Sequence, residues 1–210
     1  APLAILCGIA VTAGFGLING LLVTRIKLPS FIVTLGTMNI AFAITQLYSN
    51  SQTVTDLPPA MTWLGNTFPV GSASIGYGTV LMILLYLGMW FWLRETAPGR
   101  HVYAVGNNPE ATRLVGIPPE NVLLGVYMLS GVFYGIAALL SVARTGVGDP
   151  NAGQTEALDA ITAVVLGGTS LFGGAGTVVG TIMGALMIGM INNGLILMGL
   201  EFSQQLIARG

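Results

Sequence analysis

Charge is the scarcest commodity in this sequence. Seven Lys or Arg and eight Asp or Glu make up 7% of its 210 residues, where a soluble domain carries about a quarter. That scarcity excludes an ordinary soluble enzyme and a charge-rich disordered chain alike. The lone cysteine, Cys7, excludes an internal disulfide and with it a secreted disulfide scaffold. A net charge of −1 provides no basic field for nucleic acid. His101 is the only histidine. It lies in a basic loop without a Cys or second His beside it, so no metal site is expected and it reads as a solvated loop residue. What is plentiful is apolar side chain and glycine: 53% hydrophobic residues and 30 Gly, with a mean hydropathy of +0.81. An integral membrane protein is the class that remains, with the lipid bilayer as its surroundings.

The positions of the charges say more than their number. Charge-free runs cover 1–24, 28–55, 57–93, 121–143 and 160–200. About 20 apolar residues suffice to span a bilayer as helix, and helix satisfies its own backbone in lipid. The period-two alternation of a barrel is missing, since 81–87 is apolar at every position. The expected fold is all-α: a polytopic helical bundle of about five to six transmembrane segments in one domain over 1–210. The segments are 3–24, 31–49, 77–93, 121–143, 157–171 and 177–200. The chain does not open on Met, and its first run has no basic leader or cleavage site. It is therefore expected to be no signal peptide but a piece of a longer or processed protein.

Basic residues in short loops set orientation. Arg25 and Lys27 follow the first segment; Arg94, Arg100 and Arg113 follow the third. Two spans separate the loops, so both face the cytoplasm, while 50–76, with Asp56 and no basic residue, faces outward. The 144–156 loop then also faces outward. Segment 157–171 leaves two options open. It crosses, with 173–176 as a tight cytoplasmic turn, or it dips in and returns. Arg209 alone does not decide between them.

The cytoplasmic loop 94–120 holds the most legible motif. Residues 107–116 read as a short capped helix. Asn108 suits the cap, Pro109 the first helical position and Glu110 the positive end of the dipole. Gly116 suits the left-handed terminator. A helix this short is unstable alone, so it either lies on its own bundle or docks a cytoplasmic partner. Small residues recur four apart at Gly16/Gly20, Gly131/Gly135 and Gly176/Gly180/Gly184, the spacing that lets helix backbones approach closely. The second segment places Thr34, Thr37 and Thr45 on one face and Gly36, Asn39 and Gln46 on another; the last carries Asn192 and Asn193. These polar groups either bond helix to helix or line a path for a neutral, hydroxyl-rich solute. No ionisable residue is expected deep in the spans, which argues against a proton relay or ion-coupled pump.

Gly-rich 167–176 lacks the Lys of a phosphate loop and follows no strand. Glu156 and Asp159 fit the first turn of a helix capped by Thr155 better than a catalytic pair. Enzyme chemistry is not expected.

Four blocks, at 31–38, 99–114, 158–161 and 164–171, resemble the permease subunits of monosaccharide ABC importers of the ribose, xylose and galactose type, in the family's order and spacing. The resemblance implies a multi-pass protein of the bacterial cytoplasmic (inner) membrane that imports a monosaccharide or similar small neutral solute. It implies a second permease copy, cytoplasmic ABC ATPase subunits carrying ATP and Mg, and a periplasmic or extracellular sugar-binding protein. This chain itself would bind no cofactor and hydrolyse nothing. Its coupling residues would be Asn108, Pro109, Glu110, Ala111, Arg113, Leu114 and Gly116. Thr34, Thr37, Asn39 and Asn193 are the candidates for the translocation path. Family members are about half as long again, so the chain is expected to be an incomplete permease. Where the family often has Gly-Tyr-Glu before Leu-Asp, this chain has Thr155-Glu156-Ala157. The alternative class is an ATPase-independent secondary transporter or channel.

Overall fold

The computed structural model describes residues 2–71, 73–154, 156–199 and Gln204. Five helices are long and apolar enough to cross a membrane: α1 (Pro2–Thr24), α2 (Ser30–Ser49), α4 (Tyr77–Glu95), α7 (Pro119–Thr145) and α9 (Val178–Leu197). Three shorter helices accompany them: α3 (Pro59–Thr62), α5 (Ala97–Asn107) and α6 (Pro109–Leu114). A fourth, α8 (Glu156–Leu166), completes the set. Their exposed surface is dense in Leu, Ile, Met and Phe, and four apolar residues (Val33, Val105, Ala143 and Ala163) are buried among those described. That inversion is what lipid as solvent predicts: apolar faces remain outside, and small residues fill the helix contacts.

By density of contacts the chain forms two compact units, one from 1–88 and 109–152, the other from 89–108 and 153–210. In the first, α1 and α7 pack antiparallel over their glycines. Gly16 lies against the Tyr127 carbonyl, and a methyl on Gly131 would come within 2.9 Å of Ala13 Cα. Gly135 meets Ile9 and Thr12 in the same seam. The four-residue spacing thus does what it suggested. α7 starts at Pro119, in the first helical turn, and stops where Gly146 takes φ +71° and donates its N–H to the Val142 carbonyl at 2.9 Å.

The 50–76 segment of this unit is more structured than its sequence suggested. After α3 and a 3-10 turn over Trp63–Gly65, strands β1 (Thr67–Val70) and β2 (Ala73–Gly76) form an antiparallel hairpin with Phe68 opposite Ile75. Among the described residues, the hairpin and the Val54–Gly148 bridge depart from an all-helical reading. Tyr77 stacks on Trp63 at 4.9 Å and tilts against Phe68 at 5.3 Å. Val54 and Gly148 exchange backbone hydrogen bonds at 2.9 and 2.8 Å, tying the 50–76 segment to the end of α7.

In the second unit α8 and α9 form an antiparallel helical hairpin. Gly184 sits against the Ala163 carbonyl, and Gly167 and Gly180 touch backbone to backbone. Thr177 caps α9 by accepting from the Gly180 N–H at 3.0 Å. Thr155, expected to cap α8, and Arg209 lie outside the described residues.

Candidate functional site: the exposed α6 peg and the polar level of the hairpin

α6 has six residues and a closed C-terminus. Gly116, at φ +89°, donates its N–H to the Arg113 carbonyl at 3.0 Å. The Ile117 N–H reaches back to the Thr112 carbonyl at 3.2 Å. The two bonds form the paired closure that satisfies the last carbonyls of a helix, and φ +89° is costly for any residue but Gly. At the other end Asn108 is extended, with φ −154° and ψ 99°, and Pro109 opens the helix. Those dihedrals suit a cap position and a first helical residue.

All seven residues expected to couple (Asn108, Pro109, Glu110, Ala111, Arg113, Leu114 and Gly116) are exposed. Glu110 occupies the first turn and Arg113 the last, each opposing its end of the dipole. Neither charge has an ion-pair partner among the described residues. Leu114 is 87% and Val115 74% exposed, whereas Thr112 is 4% exposed. Thr112 is the anchor that sequence reasoning passed over. Its burial follows from α6 resting on α7, which no periodicity in a six-residue helix reveals. The result is a stiff peg with opposite charges and an apolar tip turned outward.

The path candidates on α2 divide. Thr37 donates its hydroxyl to Asn19 Oδ1 on α1 at 2.7 Å, with the Val33 carbonyl as an alternative acceptor at 3.0 Å. That is a helix-to-helix bond. Thr34 returns its hydroxyl to the Ser30 carbonyl at 3.0 Å. Asn39 is exposed, and its amide has no hydrogen bond among the described residues. Gln46, further along α2, donates to Asn151 Oδ1 at 2.8 Å. Asn193 belongs to the other unit and is exposed on α9. Its neighbour Asn192 has a buried Oδ1 without a hydrogen-bond partner.

α8 shows how 157–171 is built. Eleven residues span about 16 Å at 1.5 Å each, half of a hydrocarbon core of about 30 Å. The glycine-rich turn that follows is closed by a Ser170 N–H to Ala175 carbonyl bond of 2.8 Å. It touches α5: Tyr103 donates its hydroxyl to the Gly176 carbonyl at 3.0 Å, and Gly106 packs on Gly173 and Gly174. The turn thus lies against α5. Counting back from Ala163 opposite Gly184, the first turn of α8 reaches about the level of Asn192. Glu156 and Asp159 therefore lie beside the stretch of α9 that carries Asn192 and Asn193. Two carboxylates and two amides then occupy one level of the hairpin.

Comparison with known proteins places the chain. The family model described as "Branched-chain amino acid transport system / permease component" matches residues 1–208. The chain is 44% identical to the fructose import permease protein of Rhizobium meliloti, over 95% of this chain and 57% of that protein. It is 38% identical to the ribose import permease protein of Escherichia coli K12, over 100% of this chain and 65% of that one. With the galactose/methyl galactoside import permease protein of Haemophilus influenzae the figures are 36%, 100% and 63%. The chain thus spans less than two thirds of the length of these relatives. No solved structure matches it. The five apolar helices, the paired glycine seams and the match along nearly the whole chain lead to one conclusion: this multi-pass helical membrane protein belongs to the branched-chain amino acid transport system / permease component family.

Proposed function

We propose that this chain forms the translocation part of an ATP-driven importer for a monosaccharide or similar small neutral solute, in the bacterial cytoplasmic membrane, and performs no bond chemistry. The observation that carries the reading is α6 with its flanks: seven exposed residues within 108–116, on a helix fixed by the buried Thr112 and closed by Gly116. A cytoplasmic ABC ATPase pair, holding ATP and Mg, grips this peg. Its Glu110 and Arg113 set the register by charge and Leu114 fills an apolar pocket. Closure of the ATPases displaces the peg, and the bundle passes between inward and outward openings as packed bodies. A second permease copy completes the path, and a periplasmic or extracellular sugar-binding protein delivers the solute to the outer segment built by α3, β1 and β2.

Thr34, Thr37, Asn39 and Asn193 remain the proposed path residues. Thr37 has a packing duty as well, through Asn19. The level of Glu156, Asp159 and Asn192 joins them, because carboxylates and amides together accept from and donate to sugar hydroxyls. Names of relatives support the substrate class: fructose, ribose and galactose permeases are among them.

The test exchanges the two charges, Glu110→Arg with Arg113→Glu, in the assembled transporter. Loss of ATP-driven uptake together with loss of co-purifying ATPase is expected. Unchanged uptake and ATPase recovery would refute the peg. Uptake in vesicles driven by a gradient without ATP would favour a secondary transporter or channel.

A further inference from the structure

The elbow between α4 and α5 has a composition that ATP coupling does not use. α4 nears its C-terminal end with Trp90 and Phe91, 38% and 58% exposed, and continues into Arg94. The Arg94 guanidinium stands over the Trp90 ring, 5.3 Å from its centroid. Its side chain is 67% exposed, and its ion pair with Glu95 runs through Nε at 3.4 Å. Its two Nη groups have no hydrogen-bond partner among the described residues. Arg100, exposed in the first turn of α5, directs Nη1 toward the Glu95 carbonyl at 3.4 Å. Both guanidiniums are thus gathered around one residue. The bend is stiff: Thr96 caps α5 by accepting from the Gly99 N–H at 3.3 Å. It also donates to the Trp92 carbonyl at 2.6 Å. Gly99 is so close to the Trp92 and Leu93 carbonyls that no side chain fits there.

We propose that this elbow is a binding site for the phosphate of a monoanionic phospholipid in the cytoplasmic leaflet. Arg94 and Arg100 face the phosphate, and Trp90 and Phe91 lie against the glycerol and upper acyl chains. The charge fits: two guanidiniums less the Glu95 carboxylate leave +1, the complement of one phosphodiester. The chemistry fits too, since a planar guanidinium with free Nη donors bonds phosphate through two N–H groups. An indole one turn inside the boundary sits at the depth tryptophan prefers in bilayers. The inference depends on the sidedness of the basic loops and not on the importer reading.

The experiment measures lipid retained on the purified protein by native mass spectrometry from nanodiscs of phosphatidylcholine mixed with phosphatidylglycerol. Each cationic residue near an anionic surface is worth about fivefold in binding. The unaltered protein should retain phosphatidylglycerol preferentially, and R94Q/R100Q should lose that preference by an order of magnitude or more. R94K/R100K retains charge without the planar fork and should fall between them, a check that survives if the glutamine variant folds poorly. R25Q/K27Q, at the other basic turn, should retain the preference. A parallel arm adds inorganic phosphate to lipid-free protein in detergent and reads the melting temperature. Equal retention in R94Q/R100Q, or an equal loss in R25Q/K27Q, overturns the site. Stabilisation by inorganic phosphate that the two Arg substitutions abolish overturns the lipid assignment in favour of a free anion.

Discussion

Replacing Gly131 by Ala tests the central seam of the bundle with a single methyl group. The added Cβ would stand 2.5 Å from the Thr12 carbonyl oxygen and 2.9 Å from Ala13 Cα. Both are backbone atoms, so no side chain can swing away, and α1 must retreat. Overpacking of this kind costs about 1–3 kcal/mol. Ala is favoured over Gly in a helix by about 1 kcal/mol, which offsets part of the cost. The net expectation is a loss of about 1 kcal/mol. Gly125, on the same helix, has nothing within 4 Å of its would-be Cβ. Gly125→Ala therefore retains the whole propensity gain, about 1 kcal/mol. The two variants should differ by about 2 kcal/mol. At about 2–4 °C per kcal/mol for a chain of this size, their melting temperatures in detergent should separate by about 4–8 °C, Gly131→Ala the lower. Equal melting, or the reverse order, would show that α1 and α7 do not meet at these glycines.

Other positions yield further expectations. Gly116→Val forces a β-branched residue to φ +89°, at a cost of about 1–2 kcal/mol. Hydrogen exchange at 110–117 should accelerate while the spans are unaffected, and unchanged protection would mean the Gly116 closure does not hold α6. Thr37→Val removes the bond to Asn19 and should cost about 0.6–2 kcal/mol of stability, whereas Asn39→Ala should leave stability alone and slow uptake. A thermal melt paired with an uptake assay reads both, and the opposite pattern would reverse the two roles. Glu156→Gln with Asp159→Asn should raise the KM for solute with little effect on basal ATP hydrolysis. An unaltered KM removes the first turn of α8 from the path.

The long helices were legible because charge marks their ends. Arg25, Arg94, Glu120 and Arg144 fence the apolar runs, and α1, α4 and α7 begin or end within one or two residues of those fences. The glycine seams were legible for the same reason, since a spacing of four on a helix defines a face. The peg was legible through Pro109 and Gly116, whose backbone preferences act locally. What was not legible depends on contacts distant in sequence. α5 went unforeseen: eleven residues with Val102, Tyr103 and Val105 as their apolar side form too short a pattern beside charged neighbours. The β1–β2 hairpin rests on packing under Tyr77 and Trp63, not on a strong strand signal. The extent of α8 was hidden because nothing local says whether the helix stops at Leu166 or at Leu171; the contact of Gly167 with Gly180 decides it. The path candidates were chosen by polarity alone, and polarity does not separate Thr37, bonded to Asn19, from Asn39, which is not.

One measurement bears most directly on the account. Arg113→Cys, placed in a Cys7→Ser background because Cys7 is exposed, is exposed to a membrane-impermeant thiol reagent in right-side-out and inverted vesicles, with and without the ATPase subunits. Labelling from the cytoplasmic face alone, suppressed when the ATPase is bound, is the predicted result. Labelling from the outer face, or labelling indifferent to the ATPase, would contradict it.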